Sequence, residues 1–219
     1  MESLYIYCAG GLGREIFDLA YSVNLVNKKW QSIYFVDDNK DMLMPNNTEV
    51  ITFDCIKNNS DKDNHVFLIA SGEPKTRALL HKKIQDYGFK LTTLKSNLSS
   101  ISPFSFLSEG TVVFPYCFIG ANVQIGQNNI LHTNSIVSHD SRLGNSCMVC
   151  PGVNIGGCVK IGDEVFIGIG ATIKNSLIIG NHVVIGFGSA LANDLDDYSV
   201  VMSNIAKKID ININKKVFK

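Results

Sequence analysis

The pair in this chain best suited to moving a proton near neutrality is His139-Asp140, an imidazole beside a carboxylate. Imidazole titrates near pH 6.5, and a carboxylate on one ring nitrogen fixes the tautomer and raises the basicity of the other. A second group suits an anion. Gly10-Gly11-Leu12-Gly13 follows the apolar run Leu4–Ala9 and precedes Ile16, Leu19, Ala20 and Val23 at helical spacing. A helix N-terminus there offers free N–H groups and the positive end of the helix dipole to a phosphate, and glycine lets the phosphate approach the backbone. Six cysteines (Cys8, Cys55, Cys117, Cys147, Cys150, Cys158) include one C-x-x-C spacing, Cys147 to Cys150, which taken alone suits a metal or a redox pair.

What these groups do depends on the elements that place them, and one pattern governs most of the chain. Stepping by six from Ile101 to Leu191 meets sixteen aliphatic residues, and eight of them are followed by glycine. A period of six fits neither an amphipathic helix nor an alternating strand; it fits a short strand and a corner, repeated, as in a parallel β-helix. Two residues before each step the side chains are mostly small or β-branched, so both sets share one interior face. Cys117 and Cys147 fall on this inward set and read as small hydrophobes, and no second C-x-x-C accompanies the first, so no metal centre is expected. Two residues after each step come corner formers such as Pro103, Pro115, Pro151 and Asn145. His139 is one of these outward corners.

The hexads resemble those of the hexapeptide-repeat acyltransferases, whose left-handed β-helix uses three hexapeptides per coil. An 18-residue coil taken from that resemblance puts Gly157 one coil beyond His139, with Gly156-Gly157 leaving bare backbone beside it. The Gly157 N–H is then a candidate donor to the oxyanion of an acyl-transfer intermediate. His132, His139 and His182 do not stack at this spacing, which argues against a three-histidine metal site. One corner column is polar throughout (Glu109, Gln127, Asn145, Asp163, Asn181), while another reads Pro115, Thr133, Pro151, Ile169, Phe187. Exposed Ile169 and Phe187 call for a neighbouring subunit or a pantetheine arm against them.

Before the hexads the order is strand, glycine turn, helix, strand. The strand Ser32–Val36 ends in Asp37-Asp38 about twenty residues past the glycines, where a Rossmann-type unit places a ribose-binding acid. Val66–Ala70 is a further buried strand, Ser71-Gly72-Glu73-Pro74 opens a helix to about Tyr87, and Leu91–Leu94 completes a small α/β unit. The polar stretch Ser96–Ser100 marks the junction, giving an α/β Rossmann-like domain at 1-96 and a left-handed β-helix with a short basic tail at 97-219. Fewer than a hundred residues precede the repeat, too few for a full dinucleotide fold and a separate catalytic domain, which disfavours an NAD enzyme.

Lys plus Arg equals Asp plus Glu at 20 each, so no broad field attracts nucleic acid or an anionic membrane. No run approaches the length of a membrane span, and Met1-Glu2-Ser3 lacks the basic start of a signal peptide, so a cytoplasmic location is expected.

Val137-Ser138-His139-Asp140, Cys150-Pro151-Gly152-Val153 and Gly156-Gly157, together with the glycine-rich start and Asp37-Asp38, resemble the sialic acid O-acetyltransferase NeuD family, including the PglD-type nucleotide-sugar N-acetyltransferases. The resemblance implies a homotrimer that binds a nucleotide-linked amino sugar on the N-terminal domain (Gly10, Gly11, Gly13, Asp37, Asp38, Gly72). It implies acetyl-CoA as donor along the β-helix (Gly157, Gly168, Ile169, Phe187), and catalysis by His139 as base with Asp140 and Gly157. It implies N-acetylation of an amino-deoxy sugar for surface glycan assembly. O-acetylation of sialic acid or another sugar hydroxyl, and a non-catalytic nucleotide-sugar-binding scaffold, are the alternative readings. Three places depart from the family pattern: Cys8 stands for the first glycine of the turn, Met148 for a second histidine found nine residues after the base, and Ser203-Asn204-Ile205-Ala206 for the usual Gly-x-Pro-Ala near the C-terminus.

Overall fold

The computed structural model describes residues 2–39 and 48–203. Its N-terminal part is a five-stranded parallel sheet with one helix after each of two strands. Strand β1 (Glu2–Tyr7) leads into α1 (Gly11–Asn27) and β2 (Trp30–Val36), followed by β3 (Val50–Ile51), β4 (His65–Ile69), α2 (Pro74–Asp86) and β5 (Lys90–Leu91). The sheet order is β3-β2-β1-β4-β5. All strands point the same way, but the strand order proceeds from β1 to β2 on one side and from β4 to β5 on the other, so the loops after β1 and β4 flank a topological switch point, the position where open α/β sheets bind ligands. Helix α1 buries Ile16, Leu19, Ala20 and Val23, the stripe expected from the spacing.

From Leu94 onward the chain is a parallel β-solenoid with two-residue strands on three sheets. The first sheet stacks Leu94–Lys95, Val112–Val113, Ile130–Leu131, Met148–Val149, Phe166–Ile167, Val184–Ile185 and Val200–Val201; the second includes Ile136–Val137 and Asn154–Ile155; the third includes Arg142–Leu143 and Lys160–Ile161. Pairing of Val137 with Ile155 and of Leu143 with Ile161 fixes a coil of 18 residues. The aliphatic steps from Val113 to Ile185 are all buried, as are inward Cys117, Val123, Ser135, Ser141, Cys147, Val153, Val159 and Val165. Asn129 interrupts that small-residue set, and its amide is fully used inside the solenoid: Nδ2 donates to the Gly126 and Gly144 carbonyls and Oδ1 accepts the Cys147 N–H. An amide with every partner in place is tolerated in a core.

Left-handed residues recur at the same place on successive coils. Asn122, Asp140, Cys158 and Ser176 form one such column, with φ of 59, 59, 60 and 63°. The polar corner is a ladder in which the Asn145 Oδ1 accepts the Gln127 N–H, Asp163 Oδ1 the Asn145 N–H, and Asn181 Oδ1 the Asp163 N–H.

The Leu91–Leu94 segment, expected to complete the α/β unit, divides between the α/β sheet and the solenoid. Thr92 still donates to Phe67 of the α/β sheet, whereas Leu94 donates to Thr111 of the solenoid, so the chain changes partner within two residues. The α/β part then lies against the first solenoid sheet. Val112, Ile130 and Met148 face outward from that sheet yet are buried, in one apolar cluster with α1. Arg77 of α2 clasps the two parts together: buried completely, it donates to the carbonyls of Ser71, Asn128 and Ser146, while Asn128 Nδ2 returns a bond to the Arg77 carbonyl. Burial lowers its pKa to about 10, which leaves it charged at neutral pH. The tail lysines Lys215, Lys216 and Lys219 lie outside the described residues.

Candidate functional site

His139 and Asp140 occupy the corner between the second and third sheets. Asp140 adopts the left-handed conformation of its column, which turns its carboxylate back onto the neighbouring ring: His139 Nδ1 lies 2.8 Å from Asp140 Oδ2. A carboxylate only accepts, so Nδ1 carries the hydrogen and Nε2 keeps the lone pair. The hydrogen bond from His139, and a second to Oδ1 from Asn122 Nδ2 at 3.0 Å, hold the Asp140 carboxyl below the usual carboxylate range. The His139 side chain is 64% exposed, so the ring stands open to solvent at this corner.

Gly157 is the seat of that ring. A Cβ at 157 would stand 2.7 Å from both Cε1 and Nε2 of His139, closer than non-bonded carbon and nitrogen tolerate. Only a glycine leaves the imidazole where it is. The Cys158 N–H donates to the His139 carbonyl and Ser176 donates to the Gly157 carbonyl, but among the described residues no acceptor takes the Gly157 N–H. One oriented imidazole and one free backbone donor therefore share a corner, an arrangement suited to acyl transfer.

The remaining histidines have other surroundings. His132 bonds Glu15 at 3.0 Å and stacks on Phe114; His182 lies 3.4 Å from Glu164 and stacks on Tyr198; His65 bonds Tyr5 and Asn59; His81 is buried, which lowers its pKa. Met148 is buried under the α/β part. Cys147 and Cys150 are buried, and desolvation pushes their thiols up to about 12 and about 11, so the C-x-x-C spacing serves packing rather than redox chemistry.

At the switch point, Gly10 and Gly72 have nothing within 4 Å of an added Cβ, and Gly11 meets only the Arg14 guanidinium at 4.0 Å. Gly10 is the N-cap of α1 and supplies no side-chain cap, nor is there an acid in the first turn, so the helix end is left open to an anion. Arg14, exposed beside Gly11, is a cation that glycine spacing alone does not single out. Gly13 has a packing role instead, because a side chain there would collide with the Cys8 carbonyl. Cys8 takes the place of the first glycine with φ of 77°.

The two acids after β2 have partners within the fold. Asp37 accepts the Ala9 N–H, bracing the glycine turn, and the Asn39 N–H. Asp38 accepts from Tyr7 Oη, Lys83 Nζ and the Phe53 N–H. Burial pushes the Asp38 carboxyl up, but those three bonds outweigh it and hold it below its ordinary value. A depressed carboxylate contributes stability that is present above the unfolded value, about 4, and is lost as pH falls through the folded one. Asp38→Asn therefore melts below wild type at pH 7, and the gap closes as pH falls below about 4. A gap in melting temperature that is constant from pH 7 to pH 3 would show that the charge is not its source.

Of the residues expected at a donor site, Ile169 and Phe187 lie on a corner different from that of His139 and are 61% and 55% exposed. Gly168 is tightly packed: its N–H donates to Ile185, and a Cβ would meet the Phe187 nitrogen. Cys158 joins His139 and Asp140, with one donor atom from each of the three within 4.8 Å of the others. The arithmetic that placed Gly157 also places Cys158, one coil beyond Asp140.

Residues 3–84 match the PglD N-terminal domain family, and residues 158–193 match the bacterial transferase hexapeptide repeats. The chain is 27% identical over 172 residues to GDP-perosamine N-acetyltransferase of Escherichia coli O157:H7, covering 74% of each. The acetyltransferase domain of PglB from Neisseria gonorrhoeae superposes with a TM-score of 0.86 at 27% identity, covering 95% of this chain and 100% of that one. PerB from Caulobacter crescentus, solved in complex with CoA and GDP-perosamine, superposes at 0.83 with 25% identity over 93% of this chain and 95% of that one. An α/β domain of the PglD type, a hexapeptide solenoid and an acid-braced histidine on its corner come together in one chain, which is similar over most of its length to the PglD-type hexapeptide-repeat acetyltransferases.

Proposed function

We propose that this protein transfers the acetyl group of acetyl-CoA to the amino group of a nucleotide-linked amino-deoxy sugar, with His139 as the base. The observation that carries the catalytic assignment is the His139 ring itself, exposed, held at Nδ1 by an ionised Asp140 and seated on the bare backbone of Gly157. As the acceptor nitrogen attacks the thioester carbon, Nε2 takes a proton from it. The oxygen that gains negative charge is held by the Gly157 N–H. Collapse of the tetrahedral intermediate breaks the C–S bond, and the proton on Nε2 passes to the departing CoA sulfur.

The acceptor's nucleotide lies at the switch point, its phosphates on the open N-terminus of α1 at Gly10 and Gly11 with Arg14 alongside, and Gly72 on the facing loop. Gly13, Asp37 and Asp38 shape this crevice from behind. The Arg77 clasp on the Ser71 carbonyl fixes that facing loop against the solenoid. Ile169 and Phe187, too apolar for open solvent, lie under the pantetheine arm or a second subunit of a homotrimer. Among the described residues no helix is long and apolar enough to cross a membrane.

The relative named as a GDP-perosamine N-acetyltransferase supports an amine as acceptor. Incubation with acetyl-CoA and a panel of nucleotide-linked amino and hydroxy sugars, followed by free-thiol release, tests the reading. Release is expected with an amino sugar. Release with hydroxy sugars alone assigns O-acetylation, and release with none leaves a binding scaffold.

A further inference from the structure

We propose that His139, Asp140 and Cys158 together bind a soft divalent cation of the zinc class, and that its binding switches acetyl transfer off. The site follows from the coil. Asp140 and Cys158 are successive members of one left-handed corner column, so their side chains leave the backbone in the same sense, one above the other, and His139 precedes the first of them. A ring nitrogen, a carboxylate oxygen and a thiol sulfur lie within 4.8 Å of one another. In a tetrahedral zinc site, bond lengths of about 2.0 to 2.3 Å put the donors roughly 3.3 to 3.6 Å apart. All three residues are exposed, so side-chain rotation closes the difference and a hydrated ion has access. The donors are of mixed kind: thiolate selects the soft end of the divalent series and imidazole suits zinc, whereas magnesium and calcium want oxygen alone. The column's neighbours, Asn122 and Ser176, are neutral and lack a thiol, which confines the site to this pair of coils. Cys117, Cys147 and Cys150, by contrast, are buried.

Inhibition rests on the reading of His139 as the base. A neutral imidazole has a single in-plane lone pair, and the metal takes it. If the ion enters at Nδ1 in place of the hydrogen shared with Asp140, the remaining hydrogen sits on Nε2; if it enters at Nε2, the basic nitrogen itself is blocked. Either way no lone pair remains for the acceptor amine. Binding displaces the Cys158 thiol proton to solvent, and no electrons change hands.

Cobalt(II), which reports thiolate ligation by a near-ultraviolet charge-transfer band, is the binding probe, and zinc-dependent loss of turnover is the functional one. Wild type is expected to show the band at one cobalt per chain and Cys158→Ser to lack it. Zinc is expected to halve wild-type turnover reversibly, with a chelator restoring it, and Cys158→Ser to need at least about tenfold more zinc for the same loss while keeping its metal-free rate. No band in wild type, or equal zinc sensitivity in Cys158→Ser, overturns the site. A Cys158-dependent band with full turnover at saturating metal leaves the site standing and removes His139 as base.

Discussion

His139→Ala lowers kcat by about 10² to 10⁴, the contribution a positioned general base makes, and leaves the fold and the acetyl-CoA affinity in place. The size follows from what the ring does: with Nδ1 engaged by Asp140, Nε2 is the ring nitrogen at this corner left with a lone pair. The fold survives because the side chain is 64% exposed and packs on a glycine, a setting in which substitutions change stability by only about 0.5 kcal/mol. Asp140→Asn costs less. Asparagine keeps the hydrogen bond to Asn122 within reach but presents an amide to Nδ1, so orientation weakens while the imidazole remains. Steady-state kinetics on both variants, with circular dichroism as the control, check the order. Turnover of His139→Ala close to wild type ends the assignment.

Gly157 separates two effects that share one residue. Gly157→Ala keeps the N–H but places a methyl carbon where Cε1 and Nε2 of His139 now lie, so the ring must swing away. The ring is an exposed side chain and yields without disturbing the coil, so the loss appears in rate. A misplacement of about 1 Å costs on the order of 10² in turnover. Gly157→Pro displaces the ring in the same way and also removes the N–H, which brings a further loss of about 10² to 10³ if that donor holds the oxyanion. The same corner column carries Pro103 three coils before Gly157, at the 18-residue spacing that runs 103, 121, 139, 157, so proline fits its backbone. Proline falling no further than alanine places the oxyanion donor elsewhere.

The repeat was legible because its signal is redundant: each coil carries three aliphatic steps, and the burial of Val137, Leu143 and Val149 on one coil is repeated at Ile155, Ile161 and Ile167 on the next. The same regularity carried the contact between His139 and Gly157, a matter of adding 18. It carried Cys158 as well, but a cysteine after two glycines draws no notice until the corner is seen as a column. The α/β part was less open to reading. Asp38 follows a strand at the spacing of a ribose-binding acid, yet it is engaged by Lys83, 45 residues away, and by Tyr7 across the sheet. Such partners meet only through the tertiary fold. Cys8 shows the opposite case, a non-glycine residue held at positive φ because the turn around it is otherwise fixed. Gly13 carried no mark to distinguish it from Gly10 and Gly11, since whether a glycine opens a surface or relieves a contact depends on what lies opposite.

The most direct measurement is tandem mass spectrometry of the product formed from acetyl-CoA and a nucleotide-linked amino sugar by wild-type protein and by His139→Ala. The account predicts one acetyl group per sugar, on the amino nitrogen, with one thiol released per acetyl and product from the variant reduced by about 10² or more at equal time. An acetyl group found on a hydroxyl oxygen, or the same N-acetylated product formed as fast without the imidazole, would contradict it.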